Sequence, residues 1–222
     1  MVDETEADAD LTVIAIDGPA GSGKSTVARR LADALDLEYL DTGAMYRSVT
    51  YAVLRRRIEP DADDAVAQVA RETAIDLAPD GTVIVDGTDV TTEIRGPDVS
   101  AVVSVVAANQ DVRAELVARQ REWARKRGGG VLEGRDIGTV VFPSAQLKVY
   151  LTAAAATRAT RRARDEDTDD TSGVAAELAR RDRFDSERRH DPLRRAEGAM
   201  VLDTTDLTVD EVVAAVVEEV RG

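Results

Sequence analysis

The sequence predicts an α/β fold in which a five-stranded parallel sheet carries helices on both faces. Three observations predict it. Apolar runs alternate with segments whose apolar residues recur at helical spacing, in the order β-α-β-α, an interruption, then α-β-β-α-α-β-α. The first run, Leu11–Ile16, is apolar almost throughout, as a strand covered on both faces must be. The interruption has its own character: two short β-rich runs flank Pro79-Asp80-Gly81, the signal of an antiparallel hairpin inserted into a βα chain.

The elements follow in order. After the strand at 11–16, Val27, Ala28, Leu31, Ala34 and Leu35 form one stripe of a helix over Lys24–Leu35. Glu38–Leu40 is a second short strand. Met45, Val49, Ala52 and Val53 share a side of a helix over Gly43–Arg57, which Pro60 closes off, and Ala62–Glu72 is helical. The hairpin takes Ala74–Ala78 and Thr82–Asp86, with residues 87–90 extending it. Helices at Pro97–Ala108 and Asp111–Arg127 end at Gly128-Gly129-Gly130. Val131–Leu132 and Leu147–Leu151 are strands, and Ala153–Arg164 is a helix. The polar stretch Asp165–Gly173 reads as a mobile loop, Val174–Arg189 as a helix and Ala199–Leu202 as the last strand. A helix over Thr208–Arg221 has a Thr cap.

Composition excludes several kinds of chemistry. With no cysteine there is no disulfide, thiolate metal site or Cys nucleophile, and a single histidine, His190, excludes a multi-His metal centre. His190 reads as a bystander. No run of about 18 apolar residues is present, so no membrane helix is expected. Residues 1–10 carry five carboxylates and no base, which reads as a disordered acidic tail and not a signal peptide. These features point to a cytoplasmic protein. A net charge of −14 and only seven aromatic residues argue against a nucleic-acid partner. Of 29 basic residues 26 are arginine, the side chain suited to bidentate phosphate binding.

Gly18-Pro19-Ala20-Gly21-Ser22-Gly23-Lys24-Ser25-Thr26 follows the first strand and opens the first helix. It matches the phosphate loop of P-loop NTPases in the structural context that gives the motif meaning. Glycines let backbone N–H groups turn inward, and the helix N-terminus adds its dipole. Lys24 reaches the β/γ-phosphates and Ser25 can ligate Mg²⁺. A nucleoside triphosphate is therefore the expected ligand. The loop does not say what receives the phosphate. The base-reading motif N-K-x-D of GTPases is impossible, because the sole asparagine, Asn109, precedes Gln110. Asp41–Arg47 and Glu133-Gly134-Arg135-Asp136 each follow a strand at the carboxyl edge, where ligands bind in open α/β sheets. Arg135 and Asp136 suit an acceptor phosphate and a base amino group, or else one another as a local ion pair. Asp17 and Glu133 are outer-shell Mg²⁺ candidates, or caps for backbone N–H groups at strand ends.

"IDGPAGSGKST", "LDTGAMYR", "EIRGPDVS", "LEGRDIGTVVFPSAQLKVYL" and "RRDRFDSERRHDPL" resemble the bacterial cytidylate kinase family of P-loop nucleoside monophosphate kinases, from about Leu11 to Gly222. The resemblance implies transfer of the γ-phosphate of ATP to CMP or dCMP, with Mg²⁺, by a monomer. It implies a kinase core at 11–58 and 109–222, a monophosphate-binding insert at about 59–108 that holds the hairpin, and a lid at about 158–173. By similarity Asp136 accepts from cytosine N4, Ser104 and Arg113 contact the ring, and Thr42 lies near the base. Arg47, Arg135 and Arg188 hold the CMP phosphate, and Arg181 and Asp185 meet the ribose. Residues 181, 185 and 188 do share one helix face, which surface ion pairing would also explain. Within the lid, Arg158 and Arg162, at i,i+4, are expected to act with Lys24 on the transferring phosphoryl group. Two alternatives stay open: another small acceptor such as UMP, AMP or a metabolite, or a nucleotide-dependent switch or ATPase.

Overall fold

Residues 10–222 are described by a computed structural model; the acidic tail expected at 1–10 lies almost wholly outside the described residues. The chain divides into two compact units, residues up to Tyr39 with Ala124–Gly222, and Leu40–Trp123. The second unit takes in more chain than the 59–108 read from the sequence, because the helix after the second strand packs with it.

The first unit is built on the parallel sheet. Its strands are β1 (Thr12–Asp17), β2 (Tyr39–Asp41), β6 (Gly129–Gly134), β7 (Leu147–Thr152) and β8 (Met200–Asp203), in the order β2-β6-β1-β7-β8. β2 starts in this unit, and Val131 N donates to Glu38 O at 2.8 Å at its edge. β1 is central, in register with β6 from Thr12↔Gly129 to Asp17↔Gly134 and with β7 from Ile14↔Leu147 to Asp17↔Tyr150. Both faces of β1 are covered. Ile14 and Ile16 pack with Val27 and Leu31 of α1 (Lys24–Leu35) and with Val212 and Val216 of α8 (Val209–Arg221). Val13 and Ala15, pointing the other way, are equally buried. Thr208 caps α8 through a reciprocal capping box with Glu211.

The second unit carries α2 (Thr42–Arg55), α3 (Asp63–Glu72), α4 (Pro97–Ala108) and most of α5 (Gln110–Arg127). Asp41 caps α2, accepting from Ala44 N at 2.9 Å. The expected hairpin is β3 (Ile75–Leu77) and β4 (Val83–Val85), antiparallel with Ile75↔Val85. β5 (Thr88–Asp89) extends it to three strands.

Two expectations shift. The loop read over 165–173 is shorter, because Asp170 accepts from Gly173 N at 2.9 Å and starts α7 (Thr171–Glu187) three residues early. The helix before it, α6, spans Ala155–Asp165. The triple glycine does more than stop a helix. Gly129 and Gly130 open β6, and Gly129 has φ 132° with room for no Cβ, which would lie 2.1 Å from Thr12 O. The sequence also gave no sign of the π-helical turn at Ile137–Val141. Among the described residues no helix is long and apolar enough to cross a membrane.

Gly129→Ala should lower unfolding stability by about 3 kcal/mol, because β1 or β6 must move. Gly128→Ala, where φ is 72° and no atom lies within 4 Å of the added Cβ, should lower it by about 1 kcal/mol from backbone strain alone. Urea unfolding of both variants checks the difference.

Candidate active site

The phosphate loop leaves β1 at Asp17 and enters α1 at Lys24. Its own side chains tighten it: Lys24 Nζ donates to Pro19 O at 2.8 Å and Ser22 Oγ to the same carbonyl at 3.0 Å. Ala20–Thr26 line a cavity of about 280 Å³. Gly18 and Pro19 do not line it; their carbonyls accept from Arg135 and from Lys24 and Ser22. Lys24 is buried, and that burial, aided by the Arg135 guanidinium, pushes its ammonium down to about 7.

Three arginines share the cavity wall: Arg161, Arg162 and Arg181. Arg162 pairs with Glu166 at 2.6 Å. Arg161 donates from Nη1 to Thr204 Oγ1 at 2.9 Å and from Nη2 to Thr204 O at 2.6 Å. Thr204 Oγ1 in turn reaches Ser22 O at 3.1 Å. Arg181 Nε is buried with no hydrogen-bond partner, and burial together with Arg135 lowers its guanidinium to about 10. An orphaned buried donor in the wall of a phosphate loop is a ready seat for an anion. Arg181 Nε also lies 3.9 Å from Asp185 Oδ2, the other residue of the implied ribose contact. Apolar lining comes from Leu207, Val209 and Val212.

Arg158 braces the loop. It donates to Ala20 O at 3.1 Å and to Ala153 O at 3.2 Å, and pairs with Asp182, whose Oδ1 accepts from Ala20 N at 3.4 Å. Gly21 is needed at this contact: its φ is 74°, and a Cβ would sit 2.8 Å from Arg158 O. Arg161, Asp182 and Thr204 were not singled out from the sequence. Arg161 was findable, since i,i+3 from Arg158 shares a face as i,i+4 does. Thr204 and Asp182 carry no local signal.

A second charged cluster in the same unit holds Arg135, Asp136, Asp185 and Arg188. Arg135 donates from Nε to Asp185 Oδ2 at 2.8 Å and from Nη1 to Gly18 O at 2.9 Å. Burial works to raise the Asp185 carboxyl, but Arg135 and Arg181 outweigh it and hold the group low. Arg188 donates to Asp191 O and lies 3.7 Å from Asp136 Oδ2. Asp136 is 5% exposed. Arg135 thus takes Asp185 and Gly18 O as its partners, while Asp136 faces Arg188.

The second unit holds the remaining expected residues. Thr42 is buried in the first turn of α2. Arg47 donates from Nη1 to Ile94 O at 2.9 Å and to Ser100 Oγ at 3.0 Å. Ser104 lies one turn beyond Ser100 on α4 and is half-buried. Arg113 is buried with its guanidinium 5.7 Å from the Tyr46 ring centroid.

Of the two Mg²⁺ candidates, Asp17 has both carboxylate oxygens on backbone, accepting from Ile137 N and Gly138 N at 2.8 Å each. It is a backbone cap. Glu133 is buried and accepts from Tyr39 Oη. Among the described residues no three His, Cys, Asp or Glu side chains converge as a metal cage. Ser25, exposed in the cavity wall, offers a hard oxygen donor of the kind Mg²⁺ takes when phosphates supply the other ligands.

A phosphate loop at the edge of a parallel sheet, an arginine-walled cavity over it, and a second guanidinium–carboxylate cluster define a nucleotide-dependent phosphotransferase of the P-loop class. The chain belongs to the cytidylate kinase family: the sequence model described as cytidylate kinase matches residues 14–222. A cytidylate kinase of Mycobacterium avium is 52% identical over 90% of this chain and 91% of its own length. One from Geobacillus kaustophilus is 47% identical over 94% and 96%. The fold is also that of a gluconokinase from Sinorhizobium meliloti, at TM-score 0.52 and 14% identity over 96% of this chain and 93% of that one.

The lowered Lys24 ammonium predicts proton uptake on ATP binding. At about pH 8.5 the free side chain is mostly neutral, and the arriving phosphates favour its charged form. Calorimetry in buffers of different ionisation enthalpy should show net uptake; a buffer-independent enthalpy would contradict it.

Proposed function

We propose that the protein transfers the γ-phosphate of ATP to CMP or dCMP, releasing ADP and CDP or dCDP. The observation that carries this reading is the pairing of a phosphate loop and its arginine-walled cavity with the Arg135–Asp136 cluster, in a chain whose family is cytidylate kinase. Residues 20–26 hold the triphosphate, and the apolar lining suits the nucleoside of ATP. Mg²⁺ would enter with ATP, held by Ser25 and, through water, Glu133, and would screen the phosphate charge.

An oxygen of the CMP phosphate attacks the γ-phosphorus while the bond to the β,γ-bridging oxygen breaks, leaving ADP. That oxygen is already ionised at neutral pH, so no general base is required, which fits a chain whose one histidine lies outside both clusters. The protein's part is positioning and charge compensation. Lys24, Arg162 and Arg181 face the charge on the transferring group. Arg158 joins them from its place against Ala20 O.

For the acceptor, we propose that Asp136 receives a hydrogen bond from cytosine N4. A carboxylate there discriminates against uracil, which presents a carbonyl at that position. Ser104 and Arg113 contact the ring, with Thr42 near it. Arg47, Arg135 and Arg188 take the phosphate, and Asp185 the ribose. Insert and lid are assigned to monophosphate binding and to closure over ATP. We further propose a cytoplasmic monomer acting in pyrimidine nucleotide metabolism, a placement supported by its proposed substrates.

ADP release should depend on CMP or dCMP and be much slower with UMP, AMP or GMP. Asp136→Ala should lower kcat/KM for CMP on the order of 100-fold while KM for ATP changes less than about threefold. Turnover with another acceptor would move the base-reading assignment. ADP release with no acceptor would favour an ATPase or switch.

A further inference from the structure

Asp17 stands one residue before the phosphate loop, yet its side chain serves the other cluster. Its carboxylate is 3% exposed, and each oxygen accepts one backbone N–H, from Ile137 and from Gly138, both at 2.8 Å. Those amides open the π-helical turn 137–141. Such a turn leaves its first N–H groups unpaired, and a buried orphan costs about 1–3 kcal/mol. The residue immediately before it is Asp136, whose backbone sits at φ −150° and ψ 23°, between the extended and helical regions. Asp136 O accepts from Val140 N at 2.9 Å, so its carbonyl belongs to the turn while its side chain is left to point elsewhere. The next residue of the loop repeats the link, since Gly18 O accepts from Arg135 Nη1 at 2.9 Å. Residues 17 and 18 of the loop stem thus hold residues 135, 137 and 138, on either side of Asp136.

We propose that Asp17 is a positioning residue for acceptor selection: it fixes the turn at 137–138 and through it the direction of the Asp136 carboxylate. This rests on the reading of Asp136 as the group that meets cytosine N4. The nearby Asp136 carboxylate works against ionisation of Asp17, which the two backbone N–H groups favour. Burial pushes the Asp17 carboxyl up to about 6, the two N–H groups opposing that rise, so it is an acceptor-only carboxylate at neutral pH. An asparagine at this position supplies one acceptor oxygen and sets an NH₂ against the second N–H.

The inference makes an assignment that sequence position alone would not. A residue touching the phosphate loop should affect ATP; this one should affect CMP. Asp17→Asn should raise KM for CMP about tenfold and lower the preference for CMP over UMP by a similar factor, with ATP affinity within about twofold of wild type. Steady-state kinetics with each nucleotide varied, and titration of a fluorescent ATP analogue, read these separately. A merely structural loss would lower both affinities together and leave the CMP-to-UMP ratio unchanged. That result, or no change in CMP kinetics, overturns the proposal. A wild-type protein that does not turn over CMP would overturn the acceptor reading on which it rests. Should Asp17→Asn not fold, hydrogen exchange on the wild type decides. Ile137 and Gly138 amides should exchange slowly and be slowed about tenfold further by saturating CMP. Fast exchange at both, indifferent to CMP, would overturn the assignment.

Discussion

Like charges crowded around an anion site before the anion arrives are the constraint on this structure. Lys24, Arg161, Arg162 and Arg181 all line one cavity, with Arg135 close enough to depress both Lys24 and Arg181. Left to themselves these cations would repel one another or turn out to water. Each is instead held by an acceptor the fold supplies. Lys24 is tied to Pro19 O, Arg161 to Thr204, Arg162 to Glu166 and Arg135 to Asp185 and Gly18 O. Arg181 is the exception, its Nε buried without a hydrogen-bond partner and only loosely paired with Asp185 Oδ2 at 3.9 Å. The arrangement is preorganised for phosphate: the cationic side chains are in place around the cavity, and the arriving phosphates favour the charged form of Lys24.

The same contacts tie the two helices after β7 to the phosphate loop. Arg158 of α6 and Asp182 of α7 meet at Ala20, on its carbonyl and its amide respectively. Arg162 and Arg181, from the same two helices, meet the cavity. A movement of either helix would therefore be felt at the loop as well as at the phosphates. For a reaction whose competitor is hydrolysis, the proposed closure over ATP would act on the loop geometry through these same contacts.

Much of this was legible in the sequence, and the reasons are particular. α1 and α4 begin and end where the apolar stripe, the phosphate loop and Pro97 place them. The hairpin followed from Pro79-Asp80-Gly81. The phosphate loop was legible because its glycines, lysine and serine have a fixed spacing and a fixed setting. Long-range partners were not. Asp17 reads equally as a metal ligand or a cap until Ile137 and Gly138 are seen beside it, 120 residues away in the chain. Thr204 looks like an ordinary residue after a strand, and only parallel pairing of β7 and β8 brings it to Thr152 and Ser22. The choice of Arg158 and Arg162 from a run of four arginines used helical spacing alone. Spacing cannot tell which guanidinium faces the cavity and which supports the loop from behind.

This cluster of cations serves transfer to a nucleotide and not to water. Phosphorus NMR of ATP, Mg²⁺ and CMP with the enzyme tests it most directly, because donor, product and inorganic phosphate have separate resonances. ADP and CDP should grow in equal amounts with no inorganic phosphate while CMP remains. Inorganic phosphate growing in step with ADP, with CMP unconsumed, would contradict it.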